Sequence, residues 1–241
     1  MRLNTVQLAV SLVCSLSLAG CGALAEKPSR IITYAVDDSI TGRLIQDVCL
    51  KQGNILIDSL QPDDRFVLTP ITASTFTDFT GRHDWTLPPF DLLDTELLQQ
   101  AHMDDLKNEI RADLKHMVQR QDAKNSEILD VFNVEAQVVS PDRTRIPVLV
   151  ICSDMRQDTS RWNFDTHQVD SGYIHQLIED RRRSGALPTL AGVKVYIVGA
   201  KPTSLAKFYE IRSGVLAYCK AIQADCSPQR YTLSGLVSVR S

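Results

Sequence analysis

The chain has no basic surplus. Acidic residues outnumber lysine and arginine, the formal net charge is −3 and the cations are scattered, so it carries no electrostatic footprint for nucleic acid. Its one basic run, Arg181-Arg182-Arg183, reads as a solvated helix face. No Cys-x-x-Cys and no Cys/His spacing of a zinc site occurs. His83, His102, His116, His167 and His175 fall on loops or charged helix faces, outside any G-x-S-x-G, H-E-x-x-H or Cys/His signature, so no catalytic constellation is written in the sequence. There is no internal repeat and no low-complexity tract. With 44% apolar and 23% charged residues the remainder has ordinary globular composition.

The N-terminal segment has a single basic residue, Arg2, and an apolar run from about Leu8 to Ala19, too short to span a bilayer and patterned as a signal peptide. Its end, Leu18-Ala19-Gly20-Cys21, resembles the lipobox of bacterial lipoproteins. The resemblance implies a signal peptide over 1–20, lipidation of Cys21 as the new N-terminus, and a tether over 21–30. Gly22 in place of aspartate implies, by similarity to enterobacterial sorting, the periplasmic face of the outer membrane, with inner-membrane anchoring as the alternative.

Beyond the tether, β-branched runs of strand length alternate with longer segments of helical period, the pattern of an α/β domain with a mostly parallel, doubly wound sheet and helices on both faces. The expected strands are 31–36, 65–71, 146–152, 193–199 and one near 231–239. Leu44, Ile45, Val48 and Cys49 place a helix after the first strand. The domain is expected to fill 31–241, with an insertion at about 76–121 that carries one amphipathic helix over 94–121. Gly81 to Asp94, rich in proline and aromatics, reads as an ordered loop near the ligand edge. Trp85 and Trp162 suit either a core or a surface role, while Asp158, Arg161, Trp162 and Asn163 are expected to form a loop over that edge.

Four cysteines remain beyond Cys21, and four allow three pairings. Cys49 and Cys152 lie inside apolar runs, where buried free thiols are expected. Cys219 and Cys226 lie where a helix runs out before Pro228, and a local disulfide is expected there.

The first strand ends in Asp37-Asp38-Ser39-Ile40-Thr41. The stretch IITYAVDDSITGRLIQDVCLKQG resembles the opening of a response-regulator receiver, yet the following strand, Phe66 to Thr72, ends without the aspartate a phosphoacceptor requires. A haloacid-dehalogenase nucleophile motif has aspartates two apart, and Ser39 occupies the second place. Asp37-x-Ser39-x-Thr41 resembles instead the D-x-S-x-S motif of von Willebrand factor A domains, with threonine in the last place. That resemblance implies a cation held by two hydroxyls and, through water, by the aspartate. It also implies a hydroxyl from a second loop and an aspartate closing a later strand. Asp154, in Ser153-Asp154-Met155, supplies the aspartate. Ser126 is the candidate hydroxyl, although it also suits a helix N-cap, and Thr72 or Thr75 would serve the same purpose. Asp38 would support or cap.

A hard ion, Mg²⁺ or Mn²⁺, suits such oxygen donors. The expected function is a lipid-anchored binding module, not an enzyme, whose protein partner completes the metal shell with an acidic side chain. The competing expectations are a metal-dependent phosphohydrolase on the same acids, and a structural lipoprotein with a degenerate site that binds through helix 94–121.

Overall fold

The computed structural model describes residues 28–39, 41–89, 95–120, 123–233, 237 and 239. The signal segment, Cys21 and the tether as far as residue 27 lie outside the described residues. Among the described residues, five strands form one sheet in the order β3-β2-β1-β4-β5: β1 Arg30–Asp37, β2 Arg65–Ile71, β3 His83–Thr86, β4 Ile146–Cys152 and β5 Lys194–Val198. All pairings are parallel except that of β3 with β2. Five α-helices accompany them among the described residues: α1 Gln46–Asp58, α2 Glu96–Arg120, α3 Val131–Val139, α4 Ser171–Arg183 and α5 Leu205–Ala221. Among the described residues, no helix is long and apolar enough to cross a membrane.

β1 sits at the centre, and all eight of its residues are buried. Its side chains alternate between the two faces, as the strand period requires. Ile32, Tyr34 and Val36 join Leu56, Ile57, Ile110 and Leu114 of α1 and α2 in one core. Ala35 joins Val131, Phe132, Leu177 and Phe208 of α3, α4 and α5 in the other. Helices therefore cover both faces, and the sheet is doubly wound. Close approach on the first face requires a glycine: a Cβ at Gly53 would lie 2.3 Å from Leu114 Cδ2 and 2.9 Å from Tyr34 Cε1.

The structure corrects several expectations. Part of the aromatic loop is β3, an antiparallel edge strand with Trp85 opposite Phe66, and it runs away from the carboxyl edge of the sheet. Trp85 is buried there, and its indole N–H donates to Glu109 Oε1 of α2 at 2.9 Å. The strand expected near 231–239 falls largely outside the described residues, and of its start Tyr231 bridges in parallel to Ile197. Arg181 is not merely solvated: it pairs with Asp130 and lies over the Tyr218 ring. Cys49 and Cys152 are not free thiols. They form a disulfide between α1 and the end of β4, two segments far apart in sequence that the parallel fold brings side by side. Cys219 and Cys226 form the other disulfide.

Glu135 of α3 is fully buried against Thr33 of β1, and neither carboxyl oxygen has a hydrogen-bond partner among the described residues. Burial pushes its pKa up to about 7, opposed by the polar Thr33 side chain beside it and the positive charge of Arg65. A carboxyl with a raised folded pKa binds its proton more tightly folded than unfolded, so stability falls as pH rises from the unfolded value toward 7 and is flat above it. Glu135→Gln removes that loss. In urea unfolding its advantage over the wild type is expected to grow between pH 5 and pH 8 by about 2–3 kcal/mol, an order-of-magnitude figure from the linkage relation.

Candidate metal centre

The crossover from β1 leads through α1 to β2 on one side, while β4 pairs on β1's other side. Open α/β sheets leave a crevice at the carboxyl ends where the winding reverses. β1 and β4 end there together, with Val36 opposite Cys152, so Asp37 meets Ser153 and Asp154.

Asp37 is the hub. Its Oδ1 accepts the Ser39 N–H at 3.0 Å and the Ser126 hydroxyl at 3.1 Å, and its Oδ2 accepts the Ser153 hydroxyl at 2.6 Å. Three chain segments thus satisfy one buried carboxylate. The Ser39 and Thr41 hydroxyls lie 3.0 Å apart, and Ser39 Oγ also accepts the Gly42 N–H at 3.2 Å. A Cβ at Gly42 would lie 3.0 Å from the Asp37 carbonyl oxygen, so the turn is tight against the strand end. Asp154 follows Ser153 at the same strand end, and its Oδ1 accepts the Arg156 N–H at 3.0 Å.

Asp37, Ser39, Thr41, Ser126 and Asp154 therefore form one connected cluster, buried except for Thr41. Burial, and then the charge of Asp37, push the Asp154 pKa up to about 6. The Arg156 N–H, the Thr41 hydroxyl and the Arg156 charge oppose the rise. A cavity of about 40 Å³ opens above Ser39, Thr41 and Ser126, rimmed by Lys124, Arg156, Asp158 and Asp165. It is large enough for an ion with a water.

The inserted helix returns the chain to this site. Arg120, in its last turn, donates to Asp38 Oδ2 at 2.8 and 3.2 Å. Just beyond, the Ala123 N–H donates to the Asp38 carbonyl at 3.1 Å. Ser126 is no helix cap, since the 3₁₀ turn at Ile128–Asp130 and α3 begin without a side-chain cap. Thr72 and Thr75 bond within their own turn, Thr75 Oγ1 donating to the Thr72 carbonyl at 2.9 Å. The loop holding Asp158 and Asn163 lies against the site, with the Asp158 N–H on the Ser126 carbonyl at 3.1 Å.

Two contributors were missing from the sequence reading. Ser153 bonds Asp37 directly, and Arg120 neutralises Asp38. A serine preceding the strand-end aspartate was the available signal for the first. Nothing local signalled the second, since the partners are 82 residues apart.

The donor set is two carboxylates and three hydroxyls, hard oxygens that fit Mg²⁺ or Mn²⁺ better than a thiophilic ion. Among the described residues no three His, Cys, Asp or Glu side chains converge, so an ion here would rely on hydroxyls, water and a ligand from outside.

The described residues form a doubly wound, mostly parallel α/β sheet, and its strand-end loops bring together the residues on which the resemblance to von Willebrand factor A domains rests. No protein-family model matches the sequence. No curated protein matches it either. Among solved structures, the chain is similar to a von Willebrand factor type A protein from Catenulispora acidiphila, at 11% identity and TM-score 0.46 over 82% of this chain and 38% of that one. It is similar to the pilus adhesin SpaC from Lactobacillus rhamnosus GG in its open conformation, at 11% identity and TM-score 0.47 over 86% and 28%. It is similar also to proximal thread matrix protein 1 from the mussel byssus with a zinc-occupied MIDAS motif, at 12% identity and TM-score 0.39 over 81% and 48%. The chain spans less than half the length of each of these three.

Asp38 is buried, and replacing Arg120 removes the cation paired with it. Arg120→Met is expected to cost about 2–3 kcal/mol in denaturant unfolding. Adding Asp38→Asn should return part of it, a coupling read from a double-mutant cycle.

Proposed function

We propose that this chain is a binding module that holds Mg²⁺ or Mn²⁺ at the carboxyl edge of its sheet and engages a protein partner through that ion. Ser39, Thr41 and Ser126 would offer hydroxyl oxygens, with Asp37 and Asp154 holding the ion's waters. The bound ion would supply a positive centre for an acidic side chain of the partner. The observation that carries this reading is the convergence of residues from three loops on Asp37 beneath a small polar opening. With both carboxylates acting through water, the ion's direct ligands from this chain would be neutral hydroxyls, which favours an acidic ligand from outside. The module is proposed to be non-enzymatic.

It is further proposed to be exported and anchored by lipid on Cys21, at the periplasmic face of the outer membrane. β1 begins at the edge nearest the tether and ends at the site, about 25 Å away for eight strand residues. Under this anchoring the site faces away from the bilayer.

Calorimetric titration of Mg²⁺ and Mn²⁺ into the full chain tests the cation. Saturable binding is expected for the wild type and none for Asp37→Ala; identical heats from the two proteins would contradict the reading. A phosphatase screen with and without EDTA is expected to show no turnover, and metal-dependent hydrolysis lost in Asp37→Ala would favour an enzyme.

A further inference from the structure

The Cys49–Cys152 disulfide is buried at both ends and joins the two segments that carry the candidate ligands. Cys152 ends β4, and Ser153 and Asp154 follow it directly. Cys49 lies in the first turn of α1, the helix that continues from the 3₁₀ turn Thr41–Ile45. The exit of β5 packs on the same corner, since a Cβ at Gly199 would lie 3.1 Å from Ile45 Cδ1 and 3.6 Å from Cys152 Sγ.

Two features load this corner. Asp37 and Asp154 bring two carboxylates into one buried cluster, where like charges repel. Met155, also buried, holds φ at 62°, a left-handed conformation disfavoured for any residue with a Cβ unless its surroundings impose it. Both favour retreat of residues 153–155 from Asp37. The Met155 N–H bond to Ser153 Oγ, the Ser153 bond to Asp37 and a covalent link one residue before Ser153 oppose it.

We propose that the Cys49–Cys152 disulfide is a redox lock on the cation site. With the bond closed, Ser153 and Asp154 stay beside Asp37 and the site takes a divalent cation. With two thiols, the segment relaxes and affinity falls. In closing, the thiols give up two protons and two electrons as the S–S bond forms; a protein or small-molecule disulfide accepts them and becomes two thiols. The site thus becomes competent in an oxidising compartment and stays weak where dithiols keep Cys49 and Cys152 reduced. This role rests on the cation reading above. The Cys219–Cys226 disulfide, at the opposite edge of the sheet near the start of β5, is an internal control.

The test is Mn²⁺ titration by calorimetry into the oxidised full chain and its variants, with near-ultraviolet circular dichroism to report native packing. Cys49→Ala/Cys152→Ala is expected to bind at least ten-fold more weakly, and Cys219→Ala/Cys226→Ala to bind as the wild type does. Cys49→Val/Cys152→Val fills the space without a cross-link and is expected to stay weak; wild-type affinity there would make the role one of packing and overturn the lock. Should the alanine pair fail to fold, the wild type is reduced with a dithiol, freed of it anaerobically, titrated, then reoxidised, and affinity should fall and return. Equal affinity in oxidised and reduced protein, with Asp37→Ala still inactive in binding, overturns the lock alone. An oxidised wild type that takes no Mn²⁺ overturns the cation reading and the lock together.

Discussion

The site depends on the parallel register of β1 with β4, in which Val36 stands opposite Cys152. Parallel strands end on the same edge, so this one pairing delivers Asp37 and Ser153-Asp154 to a common crevice. A slip of one residue would turn the Asp37 carboxylate to the other face of the sheet. Burial of every β1 residue resists such a slip, because it would exchange the two hydrophobic sets wholesale. The Cys49–Cys152 bond fastens the same strand end to α1.

Electrostatics then decide what the crevice can hold. Asp37 is solvated internally by two hydroxyls and one backbone N–H, which is how a buried carboxylate is tolerated without a cation. Asp38, which would otherwise add a third negative charge, is paired with Arg120. Asp37 and Asp154 remain as the two carboxylates of the buried cluster, beneath an opening lined by Ser39, Thr41 and Ser126. The inserted helix is therefore part of the site's construction. It neutralises Asp38 at its end and sets the chain on course for Ser126.

Much of the fold was legible in the sequence because it rests on local periodicity. The alternation of Ile32, Tyr34 and Val36 with Ile31, Thr33 and Ala35, and the helical stripe through Ile110, Leu114, Met117 and Val118, follow from which faces are buried. β3 was not legible. It has four residues beside prolines, and its partner β2, rather than its own pattern, makes it a strand. Cys49 and Cys152 looked like inert core thiols because each sits in an apolar run, and only the tertiary pairing of α1 with β4 reveals the bond. The strand-end acids and hydroxyls could be read from their order along the chain. The choice of Ser126 over Thr72 or Thr75 could not, since it turns on which hydroxyl is left free of its own turn.

The most direct measurement is a crystal of the oxidised protein grown with Mn²⁺, examined by anomalous diffraction at the manganese edge. The account expects one strong peak within direct coordination distance of Ser39 Oγ and Thr41 Oγ1, with Asp37 and Asp154 beside it. A peak elsewhere, or none at saturating Mn²⁺, would contradict it.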